Sequence, residues 1–219
     1  MSNAVTLLID TLLREITLGN FSPGERLSQA EIAERFHVSR TPVREAMAQL
    51  VARGVLEDRG RHGTYVTTIG DEDLSQMLEA MNEIESLCAG LAARRMSLLQ
   101  RSDLEAAQVR CQAAAESQDG PGFLEANRAF HLIIYKGTQN RYLEEAALSF
   151  RQRTEHFRGA RFRDPAELLK TVAEHDRILA LIENGDGPRA MEEMRSHITL
   201  SHKRLLAGRG GAIGLSKTG

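Results

Sequence analysis

Apolar residues recur at three- and four-residue spacing at Val5, Leu8, Ile9, Leu12, Leu13 and Ile16. This period predicts a first helix over residues 4–18, closed by Gly19-Asn20. Phe21-Ser22-Pro23-Gly24 is turn chemistry, and Glu25-Arg26-Leu27 leads on to Ser28. Ser28 and Glu31 have the spacing of a capping box, in which the serine accepts from the Glu31 amide and the carboxylate reaches back. Ile32, Ala33 and Phe36 carry the apolar edge of the helix that starts there, until His37-Val38 breaks the rhythm. Ser39 is a second N-cap, opening a helix over 40–53 with Pro42 in its first turn, where a missing amide costs nothing. Val43, Met47, Leu50 and Val51 face inward, which leaves Arg40, Thr41 and Arg44 at the outward-facing start. Short strand-like runs at 56–58 and 64–66 then flank Arg59-Gly60-Arg61-His62-Gly63, a basic β-hairpin.

Residues 67–70 lack apolar periodicity and read as a linker. Beyond them Leu74, Met77, Leu78, Met81, Ile84, Leu87, Cys88 and Leu91 hold one stripe, so 71–96 is a long amphipathic helix. Ser102, with Glu105 as its box partner, opens a helix to 118, which Asp119-Gly120-Pro121-Gly122 stops. Further helices are predicted over 123–136, 142–157, 165–184 and 188–206, and the glycine-rich 208–219 is expected to be disordered. The fold class is therefore mainly α: a winged helix-turn-helix over 1–66, a linker over 67–70, an all-helical bundle of six helices over 71–207, and a tail.

Composition adds little to this division. The 28 basic and 30 acidic residues leave a net charge of -2, and within residues 1–66 eight arginines oppose eight acids. Attraction to phosphate must come from local placement. Cys88 and Cys111 fall in separate helices with no metal-knuckle spacing and are expected to be buried thiols. No stretch approaches the roughly 20 apolar residues of a membrane span, and Asp10, Arg14 and Glu15 interrupt the apolar start. No membrane association and a cytoplasmic location are expected.

In a helix-turn-helix protein the start of the second helix enters the major groove, where arginine can grip guanine with two parallel hydrogen bonds. The stretch VSRTPVREAMAQLVARGVLEDRGRHGTYV resembles the winged helix of the GntR superfamily of bacterial transcription regulators. That resemblance implies a double-stranded DNA operator as partner, with Arg40 and Arg44 contacting DNA, Ser39 and Thr41 at phosphates, and Arg61, His62 and Gly63 at the wing tip. Some relatives carry a further DNA-contacting arginine at the start of the preceding helix, where this chain has Ala30.

The helical half carries polar residues on faces that should be apolar. Leu124, Asn127, His131 and Ile134 share one face. Leu168, Val172, His175, Leu179 and Ile182 form a second stripe, and Ala190, Met194, His197, Ile198 and Leu205 a third. His175 and His197 lie eleven residues on either side of Asp186, the centre of a tight turn, so an antiparallel hairpin brings them level. A lone histidine on such a face is usually a core residue with one hydrogen bond. Three together need partners, and a divalent metal would satisfy them, with His131, His175 and His197 as nitrogen ligands and Asn127 as an oxygen ligand. His202, about 140° further round its helix than His197, is expected to point elsewhere, and His156 has no evident partner.

A winged helix followed by N-x-x-x-H, then EHDRILALIENGD and a late histidine, resembles the FadR subfamily of GntR regulators, the second half being similar to its FCD effector domain. The resemblance implies a divalent metal, zinc with nickel or manganese as alternatives, held by Asn127, His131, His175 and His197. It also implies a small organic acid effector, a homodimer, and no enzymatic activity. Asn127 stands where the subfamily usually has an aspartate, one negative charge fewer. Arg151 and Arg153 are candidates for binding the effector. The expected function is a ligand-responsive transcriptional regulator, most often a repressor in such families. The alternatives are a helical metalloenzyme with an accessory DNA-binding module, which three histidines and an open coordination position would suit, and an architectural DNA binder whose histidines only fill the core.

Overall fold

The computed structural model describes the backbone of residues 3–17, 19–158, 162 and 164–213, and the side chains of all of these except 3, 155–158 and 205–213. The described residues fall into two compact units. One is the chain up to Leu74 together with the last part of the seventh helix from Gln152; the other is the remainder.

The first unit is built on α1 (Asn3–Thr17), α2 (Gln29–Arg35) and α3 (Arg40–Ala52). Val5, Leu8, Ile9, Leu12, Leu13 and Ile16 of α1 are all buried, against a core that includes Ile32, Val43, Met47 and Leu50. The apolar period thus locates both the helix and its inner face. Ser28 caps α2 by accepting from the Glu31 amide at 3.4 Å. Among the described residues the return bond from the Glu31 carboxylate is not formed, so only half of the expected box exists. A three-stranded antiparallel sheet, order β1-β3-β2, joins β1 (Arg26–Leu27), β2 (Leu56–Asp58) and β3 (Thr64–Val66). The wing strands are where the sequence placed them, and β1 is an addition, pairing Arg26 with Tyr65 and Leu27 with Thr64.

The second unit holds α4 (Asp71–Arg95) from Ser75 on, α5 (Leu98–Glu116), α6 (Gly120–Gly137), α7 (Arg141–Arg158) as far as Arg151, α8 (Pro165–Glu183) and α9 (Gly187–Ile213). Three boundaries differ from expectation by three residues or more. α5 begins at Leu98 rather than at Ser102, because Ser97 and Gln100 form a complete capping box one turn earlier. Asp119 caps α6 by accepting from the Gly122 amide at 3.0 Å, and Pro121 sits in the first turn, so the motif that ends one helix also starts the next. α9 runs on to Ile213, through part of the stretch expected to be disordered. Propagating an existing helix gains a backbone hydrogen bond for each residue fixed, which offsets the glycine penalty. Residues 214–219 lie outside the described residues.

Inner faces of the second unit follow the predicted stripes: Leu124, Asn127, His131 and Ile134 of α6, Leu168, Val172, His175 and Ile182 of α8, and Ala190, Met194, His197 and Ile198 of α9 are buried. Leu87 departs from the α4 stripe and is exposed. Gln108 of α5 crosses to α8, donating to the Val172 carbonyl at 3.0 Å and to Asp176 Oδ1 at 2.7 Å. Arg101 likewise donates to the carbonyls of Ala93 and Ile182.

Candidate DNA-reading surface and histidine site

Val43, Ala46, Met47 and Leu50 bury one side of α3. Its opposite side therefore faces solvent, and Ser39, Arg40, Thr41 and Arg44 are all exposed there. Arg40 and Arg44, four residues apart, project from one face. Ser39 has the extended backbone of an N-cap, but its side chain makes no capping bond. Its hydroxyl and the unsatisfied amides of the first turn are free to meet a phosphate, at the end of the helix that favours negative charge.

The wing carries Arg61 and His62 on a single 3-10 turn, Gly60–His62, both exposed. Below the tip the hairpin is braced. The Gly60 amide donates to Asp58 Oδ1 at 2.9 Å, Tyr65 Oη donates to the His62 carbonyl at 3.0 Å, and Arg59 pairs with Glu57 at 3.2 Å while lying 4.4 Å over the Tyr65 ring. Gly63 has φ +102°, a region that side-chain-bearing residues avoid. A β-carbon there would also come within 2.9 Å of Arg26 Nε.

In the second unit α6, α8 and α9 bring His131, His175 and His197 together, all buried, with one donor atom from each lying within 4.8 Å of the others. The rings of His175 and His197 stand 5.0 Å apart, so the hairpin sets them level as the sequence symmetry predicts. His175 lies flat on Phe130, centroids 4.0 Å apart and 5° from parallel. Asn127, one turn before His131 on α6, is buried, and its Oδ1 has no hydrogen-bond partner. His202 is buried outside the cluster. His156 falls among the side chains that are not described.

Two acids that the sequence reading did not select complete the surroundings. Nδ1 of His197 is 2.7 Å from Glu174 Oε2, and Glu174 Oε1 accepts from Arg204 Nη2 at 2.8 Å. Nδ1 of His131 is 2.8 Å from Glu85 Oε2. Burial, and after it the Arg151 charge, push His131 down to about 3 against the pull of Glu85, so its imidazole is neutral at pH 7. Burial would raise Glu174, but the hydrogen bonds from His197 and Arg204 outweigh it and hold the carboxylate at about 2. Glu85 was legible as an acid on the inner α4 stripe, four residues after Met81 and three before Cys88.

Arg151 is the largest fully buried side chain of the described residues. Its guanidinium lies 3.4 Å from Glu85 Oε1, 3.4 Å from Tyr135 Oη and 3.5 Å from the Asn127 carbonyl. Arg153 is not brought to this place: it is exposed and belongs to the other compact unit. Two residues on from Arg151, it turns to the opposite side of α7, since a step of two on a helix is about 200°.

The fold and these two sites define a winged-helix DNA-binding regulator with a helical domain built round polar buried groups. Residues 6–66 match the family of bacterial regulatory proteins called gntR, and residues 76–200 match the FCD domain. The chain belongs to the GntR family of bacterial transcription regulators, in the group with a C-terminal FCD domain. It is 29% identical over 203 residues to the HTH-type transcriptional regulator LutR of Bacillus subtilis, covering 83% of this chain and 91% of that one. It is 27% identical over 225 residues to the galactonate operon transcriptional repressor of Escherichia coli, covering 93% and 97%. The solved structure of E. coli McbR/YncC has the same fold, with a TM-score of 0.82 over 95% of this chain and all of that one at 23% identity. No described helix is long and apolar enough to cross a membrane.

Proposed function

We propose that this regulator represses transcription as a homodimer in the cytoplasm, and that a small organic acid bound beside a divalent metal sets its affinity for the operator. Two-fold symmetry presents two α3 helices to a pseudo-palindromic site. Arg40 and Arg44 read base edges, Ser39 and Thr41 hold phosphates, and Arg61, His62 and Gly63 follow the backbone at the wing.

The observation that carries the metal reading is the buried Asn127 Oδ1, which has no protein partner and lies on the same face as His131 in a cluster of three histidines. An orphaned buried oxygen costs about 1–3 kcal/mol, and a cation offsets that cost. The donor set fits zinc, with nickel or manganese as alternatives, since imidazole suits the first two and an oxygen ligand accommodates the third. Carboxylates behind His131 and His197 are the usual outer partners of ligating histidines. When bound, the metal would supply a Lewis-acid position to an acid's carboxylate. Arg151 supplies a fixed positive charge beside it. One relative is named for the galactonate operon, and galactonate is a hydroxylated carboxylate of the class this pairing suits.

Elemental analysis of protein purified without chelator tests the reading, with His175→Ala as the control. Near-stoichiometric zinc, nickel or manganese in the parent and its loss in the variant is the expected result. Absence of metal from both would overturn it.

A further inference from the structure

We propose that Arg204 is a positioning residue for the histidine site, acting on His197 through Glu174. The inference rests on the metal reading above for its consequence, but its geometry stands on the α8–α9 hairpin alone.

Glu174 uses its two oxygens for two donors on α9: His197 Nδ1 at 2.7 Å and Arg204 Nη2 at 2.8 Å. His197 and Arg204 are seven residues apart, two helical turns, and so lie on one face. Glu167 and Glu174 are spaced identically on α8, and Arg204 Nε reaches Glu167 Oε2 at 3.3 Å. The guanidinium therefore bridges two carboxylates on one face of the facing helix. The last torsion of a glutamate is broad, so one hydrogen bond does not fix the plane of its carboxylate. A second, charge-assisted donor on the other oxygen does. A fixed carboxylate in turn keeps the His197 proton on Nδ1 and leaves the lone pair on Nε2.

The same order recurs on the other side of the cluster, where Glu85 lies between His131 and Arg151. That relay is wholly buried. The α9 relay opens outward, because the Arg204 side chain is 23% exposed whereas Glu174 is 5%. Arg204 can thus be replaced without opening the core, and it makes ring orientation in the buried site depend on a contact near the surface.

The test is a double-variant cycle in the full chain, with zinc as the probe and a chromophoric chelator as competitor. Arg204→Met should weaken zinc binding about 10-fold, the lower end of what loss of an outer partner costs. The double variant Glu174→Gln, Arg204→Met should bind zinc no more weakly than Glu174→Gln alone, because the arginine works only through the glutamate. Unchanged affinity in Arg204→Met, or losses that add in the double variant, would overturn the proposal. Imidazole 15N spectra of the metal-free protein give a readout that needs no zinc. His197 should be held as the Nδ1–H tautomer in the parent and become a mixture in Arg204→Met, and an unchanged spectrum overturns the positioning role. A parent that binds no zinc but shows the tautomer change would sink the metal reading and leave this one standing.

Discussion

Arginine plays two opposite parts in the winged unit, and its partners tell them apart. Arg35 is paired with Glu15 and lies over the rings of Phe21 and Phe36, and Arg59 is tied to Glu57 and Tyr65; both brace the fold. Arg40, Arg44 and Arg61 are exposed and make no ion pair among the described residues. Replacing Arg40 or Arg44 by alanine should cost about 1–3 kcal/mol of operator affinity, roughly 5- to 150-fold, with the fold intact. Arg61→Ala should instead lower the slope of log affinity against log salt by about 0.9, the signature of one lost phosphate contact. Fluorescence anisotropy over a salt series separates the two, and an Arg61→Ala slope equal to the parent's would remove the wing tip from the interface. The cysteines test burial at the same scale. Burial, and then the Glu85 charge, push the Cys88 thiol up to about 12, and burial does the same for Cys111. Their native form is the neutral thiol. Its contribution to stability is complete below an ordinary thiol value of 9.0 and is lost as pH rises toward 12. At pH 7.5 both thiols should react with a disulfide reagent far more slowly in folded protein than in urea. Prompt reaction of two equivalents in the folded state would contradict their placement.

At the scale of elements, local pattern located every α-helix of the described residues but not every end. Two serines compete to start α5, each followed three residues on by Gln100 or Glu105. The complete Ser97–Gln100 box is backed by contacts outside the helix: Arg101, in the first turn of the observed helix, is held by carbonyls of α4 and α8, and Arg95 at the end of α4 donates to the Thr138 carbonyl at 2.8 Å. The choice has a measurable cost. Ser97→Ala should destabilise the protein by about 1 kcal/mol, the usual cost of losing a cap, whereas Ser102→Ala, at an exposed position inside the helix, should stay within about 0.5 kcal/mol. Equal effects in urea denaturation would return the helix start to Ser102. β1 was invisible for a related reason. Two residues carry no period, and the strand exists only because Arg26 and Leu27 meet Tyr65 and Thr64 far along the chain. Gly63, by contrast, was legible as a wing-tip residue, but not the reason for it, which is a positive φ and the Arg26 side chain across its open face.

For the whole molecule, the three histidines could be read because each interrupts an apolar stripe, and one turn centred on Asp186 fixes the register of two of them. Of the acids behind them, Glu85 interrupts a stripe in the same way, but neither acid could be paired with its histidine from the sequence. Glu85 arrives from α4, forty-six residues before His131, and Glu174 sits beside His175 in sequence yet serves His197 on the next helix. Arg151 was found as a charge and Arg153 was not distinguished from it, because only the turn of α7 sends one inward. Whether such a site regulates DNA binding is then a question of linkage. A ligand can shift the operator equilibrium only by its differential affinity for the free and bound protein, and the factor is the same in both directions. If zinc loading changes operator affinity tenfold, operator DNA must change zinc affinity tenfold, about 1.4 kcal/mol either way. Titrating operator against zinc-loaded and chelator-treated protein, and zinc against free and operator-bound protein, measures both arms. Equal operator affinity with and without zinc would confine the ion to holding α6, α8 and α9 together, and any control of DNA binding would then have to come from the acid alone.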